Sequence, residues 1–314
     1  MFSMNRRPAA VIPLLLASAL GLAACTNASA EVGADSEVQQ TGQTTAEAAV
    51  AVNEEARALL PESVRSSGTL VFASDPTYPP FEYMDTDNKT LIGFDISLTD
   101  LVAQSLGLKA KHTAATFDTI LPGLTSGKYD VGVSSFSITA DRKKAVDFVP
   151  YMAGGTAIGV ATGNPKNLSL TDKSLCGQRI AAQKGSIQAL TQGPKFSKDC
   201  IAAGEPAIDI QTFPGQSDAN LALISGRVDA ILSDSVSLAF QGEESGGKFE
   251  VAGDEDYERA GVGLAVKKNS QLTKALDKAM EDLLESEAYG KVYADWKVPT
   301  RTQIDAADFA KYSK

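Results

Sequence analysis

The sequence predicts an α/β fold made of two similar lobes. Short β-rich apolar runs alternate with amphipathic helical stretches through residues 67–314, the pattern of sheets flanked by helices. One segment also recurs. Leu124-Thr125-Ser126-Gly127-Lys128-Tyr129-Asp130-Val131-Gly132-Val133-Ser134-Ser135 is echoed 99 residues later by Leu223-Ile224-Ser225-Gly226-Arg227-Val228-Asp229-Ala230-Ile231-Leu232-Ser233-Asp234. Each copy ends a helix at Ser-Gly, sets a basic residue and an aspartate, and enters a buried strand that emits polar residues at its far end. Chance recurrence of a helix-glycine-strand unit is the competing reading, since glycine is a common helix stop. Finally, Ala157–Ala161 and Gly261–Val266 are extended runs suited to crossing between lobes.

Ahead of the folded part lies an export signal. Arg6 and Arg7 precede an apolar run from Ala9 to Ala24, too short to span a bilayer as a stable helix, which ends in small residues before Cys25. Residues 1–24 read as a signal peptide whose end resembles the bacterial lipobox, with Cys25 taking the lipid; an ordinary cleavage site beside a chance cysteine is the alternative. Residues 25–66 carry few large apolar side chains and are expected to form a flexible tether spanning about 35 Å root-mean-square, with any weak helix over Ala46–Leu60 counted as part of it. Loss of residues 1–24 removes Arg6 and Arg7 from 29 Lys+Arg and nothing from 39 Asp+Glu, leaving a net charge of −12 and arguing against nucleic acid as a partner. No later run of about 18 apolar residues offers a membrane span. Cys176 and Cys200 remain as an even pair in an exported chain. A bridge would close a loop of about 25 residues and stabilise by roughly 3 kcal/mol, against the alternative of two buried thiols. His112 is the single histidine and lies far from both, so no metal or other cofactor is expected.

Gly68–Ala73 is a first strand, leading into Ser74-Asp75-Pro76-Thr77-Tyr78-Pro79-Pro80-Phe81, where the prolines stop helix and sheet alike. Asp75, Tyr78 and Phe81 thus sit at the carboxyl end of a strand, where open α/β sheets bind ligands. Turn formation by Asp75 and core packing by Tyr78 and Phe81 are the plainer readings. Thr86–Thr90 is a hairpin turn. A helix with Ile96, Leu98, Leu101, Val102 and Leu106 on its apolar face stops at Gly107. A strand near Lys109–His112, a loop carrying Phe117 and a short helix from Ile120 to Gly127 follow. Tyr129–Val133 is a buried strand, and Ala145–Val149 another that Pro150-Tyr151 closes. In the second lobe, Ile180–Gln183 is a strand, and Lys184-Gly185-Ser186-Ile187 a glycine turn opening a helix whose free amides suit an anion. It lacks the Gly-Lys-Ser/Thr of a nucleotide loop. Leu272, Leu276, Met280, Leu283, Leu284 and Val292 mark amphipathic closing helices, which Trp296 ends.

Chemistry concentrates in Ser134-Ser135-Phe136-Ser137-Ile138-Thr139-Ala140-Asp141-Arg142. Arg142 can hold both oxygens of a carboxylate through parallel N–H donors, while the serine hydroxyls and turn amides fill the remaining lone pairs without adding charge. The alternative is a hydroxyl-rich cap on a helix starting near Asp141, with Arg142 solvated. Two facing repeat copies would aim Ser233 and Asp234 at this stretch.

Asp75–Phe81, Gly93-Phe94-Asp95, Phe117–Gly123, Gly127-Lys128-Tyr129-Asp130, Ser137–Arg142, Phe148-Val149-Pro150-Tyr151 and Gly226–Asp234, in this order, resemble the family 3 extracellular solute-binding proteins of ABC importers, the polar amino acid group. The resemblance covers residues 67–298. It implies a periplasmic-binding-protein-like fold of type II, with lobe 1 in residues 67–157 and 260–314, lobe 2 in residues 158–259, and two hinge strands between them. It further implies a monomer, outside the cytoplasm and lipid-anchored at the cell membrane, that closes on one L-amino acid and delivers it to a membrane permease. By likeness to the lysine/arginine/ornithine and glutamine binders, Arg142 would clamp the α-carboxylate with Ser137 and the backbone around Ile187. Asp234 and the Ser135 region would hold the α-ammonium, and Asp75, Tyr78, Phe117, Ser134 and Gln183 would line the side-chain pocket. Two departures stand out: Ser97 replaces a usual carboxylate, and Ile187 replaces the threonine or glycine of those binders, removing a hydroxyl contact. A zwitterion in a dry cleft needs one cation and one anion, because an unpaired buried charge costs several kcal/mol. Arg142 and Asp234 can supply them. An ionised Asp75 would favour arginine or lysine; Asp75 accepting an amide N–H would suit glutamine.

The expectation is a binder and not an enzyme. The rivals are a dehydratase of the cyclohexadienyl type on the same fold, with Asp75 or Glu82 as an acid, and a ligand-sensing subunit. No nucleophile–base pair is visible, and His112 falls off the cleft loops.

Overall fold

A computed structural model of the protein describes residues 50–314. The signal, Cys25 and most of the expected tether lie outside them. In chain order come helices α1 (Glu54–Ala58) and α2 (Glu62–Ser67), then strands β1 (Thr69–Ser74), β2 (Thr77–Tyr78), β3 (Glu82–Met84) and β4 (Leu91–Ile92). Next are α3 (Phe94–Ser105), β5 (Lys109–Ala114), α4 (Phe117–Ser126), β6 (Val131–Gly132) and β7 (Val146–Ala161). The second lobe adds β8 (Arg179–Gln183), α5 (Gly193–Ala202), β9 (Asp209–Phe213), α6 (Gln216–Ile224), β10 (Ala230–Asp234) and α7 (Ser235–Glu244). Strand β11 (Phe249–Lys267) returns to α8 (Leu272–Leu284), α9 (Glu287–Asp295) and α10 (Ala306–Ser313).

Among the described residues, eight strands form one sheet in the order β5-β1-β6-β11-β7-β10-β8-β9, and β2-β3-β4 form a small second one. Strand β1 runs parallel to β5 and β6, and β8 parallel to β9 and β10. Between them run β7 and β11, antiparallel and 16 and 19 residues long. Their outer ends serve different lobes: Val146 to Ala153 pairs with Gly261 to Lys267 beside β6, and Thr156 to Ala161 pairs with β10 and with Phe249 to Tyr257. The fold is therefore two-lobed, each lobe a mixed sheet flanked by helices, with two continuous strands joining them.

Strand β7 runs through Pro150, which the sequence reading took as a strand end. Proline is tolerated in a sheet where its missing N–H is not needed. Here a register shift sets Gly263 opposite Pro150, and the Gly263 N–H donates to Phe136 O at 3.0 Å. Phe117, expected on a loop, instead opens α4.

The tether expectation also needs correction, because residues 50–67 fold onto the first lobe. Ala56 and Leu60 are buried in its core, the Asn53 side chain caps α1 by accepting the Ala56 N–H at 2.9 Å, and the Val50 N–H donates to Gln104 Oε1 at 2.9 Å. The stability of this segment comes from docking and one cap, neither of which average composition reports. Ser97, the departure noted above, accepts the indole N–H of Trp296 at 2.8 Å and so holds α3 to the end of α9.

Both repeat copies follow one plan. Gly127 and Gly226 stop α4 and α6 at φ of +77° and +71°, in the left-handed region that glycine adopts freely. Asp130 and Asp229 then accept the backbone N–H of Val71 and of Arg179, each at 2.9 Å, tying each unit to its neighbouring strand. Cys176 and Cys200 form a disulfide in the second lobe. No helix among the described residues is long and apolar enough to cross a membrane.

Candidate functional site

The polar ends of the two repeat copies meet between the lobes around a small polar cavity. Tyr78, Phe117, Ser134, Ser135, Ser137, Arg142, Gln183, Ile187 and Asp234 line it; Asp75 stands behind its wall.

Arg142 supplies the cation. The helix foreseen from Asp141 is a single tight turn, Arg142–Lys144, and the Arg142 N–H donates to Thr139 Oγ1 at 3.2 Å. The guanidinium donates to Ser137 O at 2.9 Å and, across the cleft, to Gly185 O at 3.1 Å. It lies 5.5 and 5.3 Å from the ring centres of Phe117 and Phe136, which stack on each other at 4.7 Å. Desolvation pushes its pKa down to about 10, so it stays charged at neutral pH. A guanidinium has five donors, and the two carbonyls leave several free for an anion.

Asp234 supplies the anion. It caps α7, its Oδ1 accepting the N–H groups of Val236 and Ser237 at 2.9 and 3.1 Å. Its Oδ2 lies where a Cβ on Gly154 would come within 2.8 Å, so the glycine leaves room for it. Burial pushes the carboxyl up to about 7, against the two amide donors and the favourable charge of Arg301.

The lobes are closed on each other. The Asp234 N–H donates to Tyr78 Oη at 3.2 Å, and the Tyr78 and Ser233 hydroxyls share a hydrogen bond of 2.8 Å. From Ser233 a buried chain of hydrogen bonds runs through Gln216, Asn220, Gln241 and Ser237, whose hydroxyl donates to Pro79 O at 2.9 Å. It thus leaves the first lobe at Tyr78 and returns to it one residue later. A Lys184–Asp118 ion pair at 2.8 Å adds an outer crossing.

Asp75 is fully engaged. It accepts from the Thr77 N–H and hydroxyl at 3.0 and 2.6 Å, the Phe117 N–H at 2.8 Å and Gln183 Nε2 at 3.3 Å. It holds the Thr77–Phe81 loop to the start of α4 and reaches the second lobe through Gln183, which differs from the pocket-lining place the resemblance implies. Behind the floor sit two carboxyls. Ser134 donates to Glu82 Oε1 at 2.6 Å, and Ser135, at φ +46°, donates its N–H to Asp95 Oδ2 at 3.0 Å. Burial drives Asp95 up to about 6 and Glu82 well above the usual carboxylate range, with the Asp95 charge adding to the latter.

Several lining groups escaped the sequence reading. Gln188 Nε2 donates to Thr156 Oγ1 at 2.8 Å, that hydroxyl donates to Gln192 Oε1 at 2.7 Å, and Gln192 Nε2 donates to Glu258 Oε2 at 3.2 Å. Gln188–Gln192 is a π-helical turn opened by Ile187, a form frequent at functional sites. Glu258 follows a register slip of β11 between Ala252 and Tyr257, which no local pattern announces. The Gly154-Gly155 pair inside an apolar strand was the available signal, since glycine there marks a close approach. His112 lies away from the cleft on β5, stacked on Phe72 with Nε2 at 2.7 Å from Asp100. Among the described residues, no group of three His, Cys, Asp or Glu could hold a metal.

Residues 70–299, spanning both lobes, match the sequence model of the bacterial extracellular solute-binding proteins, family 3. The arginine-binding protein ArgT of Corynebacterium glutamicum is 31% identical over 244 residues, 78% of this chain and 79% of that one. Among solved structures, an ancestral arginine-binding protein bound to arginine shares 36% identity at a TM-score of 0.66, over 73% of this chain and 98% of that one. The ancestral amino acid-binding protein AncCDT-1, a precursor of cyclohexadienyl dehydratase, shares 28% at a TM-score of 0.66, over 75% and 98%. With opposite charges facing each other from the two lobes and a match that runs through both, the chain belongs to the bacterial extracellular solute-binding proteins of family 3.

Proposed function

We propose that the protein captures an L-amino acid with a cationic side chain, arginine first, by closure of its lobes, and delivers it to the permease of an ABC importer. The observation that carries this is Arg142: a desolvated guanidinium facing the cleft whose protein partners are two carbonyls and two ring faces. The α-carboxylate completes its donors, aided by Ser137 and the amides that open the turn at Ile187. The α-ammonium takes the open oxygen of Asp234. Glu258 and Asp234 on the cleft wall, with Asp95 behind it, outnumber the cation, which favours a ligand side chain with positive charge over an acidic one. Relatives named for arginine binding support the same choice. Ligand contacts to both lobes supply the differential affinity that drives closure. Cys25 carries the lipid that holds the protein at the outer face of the membrane, and Cys25→Ser is expected to release it from the membrane fraction.

A second reading, an enzyme on this fold, draws support from Glu82, a buried acid one hydroxyl away from the cleft, and from the likeness to a dehydratase precursor. Turnover of prephenate would favour it. The first reading is tested by calorimetric titration with the twenty L-amino acids after unfolding and refolding to strip carried ligand. Tightest binding of arginine or lysine supports it, tightest binding of glutamine shifts it to an amide ligand, and binding of none overturns it.

A further inference from the structure

Residues 300–314 lie beyond the stretch that matches the family, yet they are built onto the cleft wall. Arg301 Nη1 donates to Asp256 Oδ2 of β11 at 2.8 Å, Arg259 of the same strand donates back to Arg301 O, and Asp256 in turn packs on Gly155, a cleft-lining residue whose Cβ would come within 2.5 Å of it. Eleven residues on, the Tyr312 ring covers Gly261, where a Cβ would lie 2.5 Å from Tyr312 Cγ. Gly261 O accepts the N–H of Ile138 at 2.8 Å, and Ser137 bridges to Val262. On the far side of the same turn, Lys143, the neighbour of Arg142, donates its Nζ to Tyr312 O at 3.0 Å. The turn that carries Arg142 is thus fastened at both ends to the residue pair Gly261 and Tyr312. Ile304 and Phe309, buried in the first-lobe core, fix the segment between its two contacts.

We infer that residues 300–314 form a strap that braces the joining strand β11 and the Arg142 turn, with Arg301 and Tyr312 as positioning residues for ligand retention. None of residues 300–314 lines the cavity; the strap restricts how far the cleft wall and the clamp can move apart. The ligand arm of the test rests on the function proposed above, and the exchange arm does not.

The experiment uses full-length protein and the variants Arg301→Ala, Arg301→Lys and Tyr312→Ala. Amide hydrogen exchange is followed without ligand, and dissociation of L-arginine by stopped flow. In the two alanine variants, exchange over Asp256–Val262 and Thr139–Ala145 is expected to rise about tenfold while α8 keeps its protection, because local opening is decoupled from global unfolding. L-arginine is expected to leave about fivefold faster, with Arg301→Lys close to the parent, since affinity changes of this kind sit mainly in the off-rate. Unchanged exchange in both segments overturns the strap, and so does a uniform rise that includes α8, which would mean general destabilisation. Faster exchange with an unchanged off-rate overturns the positioning role. A parent protein that binds no L-arginine contradicts the proposed function alone, and the exchange result then decides the strap.

Discussion

In the first lobe, Asp130 accepts the Val71 amide at 2.9 Å and makes no ion pair among the described residues. In the second, Asp229 accepts the Arg179 amide at the same distance and also pairs with the Arg179 and Lys166 side chains at 2.8 and 2.9 Å. The helix stop, the aspartate tie and the buried strand are the same in both copies. What leaves the strands is not. The first emits Ser134 and Ser135, backed by the buried carboxyls of Glu82 and Asp95, and leads to Arg142; the second emits Ser233 and Asp234. The repeated unit therefore supplies a frame that aims two strand ends at one cavity, and the ends differ in charge, cation on one side and carboxylate on the other. A ligand carrying both charges is the one that bridges them.

Removing the first lobe's charge breaks this complementarity most severely. Arg142→Ala is expected to weaken L-arginine binding by at least about a thousandfold in calorimetry, because a desolvated carboxylate loses a bidentate cation. Arg142→Lys, with a point charge in place of the fork, is expected to recover only part of this. Asp234→Asn is expected to cost roughly a hundredfold, less because the amide oxygen still caps α7 and still accepts from an ammonium.

The frame itself is tested by the two aspartates. Asp229→Ala is expected to lower stability by about 2 kcal/mol in urea unfolding and Asp130→Ala by about 1, since the former abandons two cations as well as an amide. Pairing with Arg179 first, then Lys166, holds the Asp229 carboxyl well below the usual range. Its contribution is therefore complete above the unfolded carboxylate value near pH 4 and fades only as the pH falls through the lower folded value, so the gap between the two variants closes in strong acid.

The smallest effect sharpens the charge assignment. Asp234 is raised to about 7 and Asp95 to about 6, so the folded protein binds more protons than the unfolded chain between about pH 4 and 7. Ligand-free stability therefore falls as pH rises through that window, and the ligand-free protein is expected to melt a few degrees higher at pH 5.5 than at pH 7.5. L-arginine affinity runs the other way, rising with pH through about 7, because a proton on Asp234 competes with the ligand's ammonium. Asp234→Asn is expected to flatten that slope, read by titration across buffers of different ionisation enthalpy.

The contrast between lobes also explains which parts were legible in the sequence. The repeat, the strand ends and Arg142 could be read because each depends on neighbours within a dozen residues. Thr156 and Glu258 could not, because their place in the cleft follows from a register slip in β11 on the far side of the pairing. Pro150 misled because its cost depends on the register of the partner strand, and β11 slips between Val262 and Gly263, opposite it, with the Gly263 N–H turned to Phe136 O. Residues 50–66 misled because average composition hides the three side chains, Asn53, Ala56 and Leu60, that dock them. Asp75 was correctly placed at a strand end, but its carboxylate is occupied by Thr77 and by the start of α4 at Phe117 within its own lobe, a tertiary contact in the latter case, and by Gln183 only because the lobes are closed.

The most direct test of a cleft that clamps a zwitterion between Arg142 and Asp234 is a parallel titration of the stripped protein with L-arginine and with agmatine, which keeps the guanidinium and an amine but lacks the carboxylate. The account predicts micromolar or tighter binding of L-arginine and a loss of at least about a hundredfold for agmatine, the worth of a charge-assisted bidentate contact. Equal binding of the two would contradict it, because the carboxylate would then contribute nothing and Arg142 would not be the clamp.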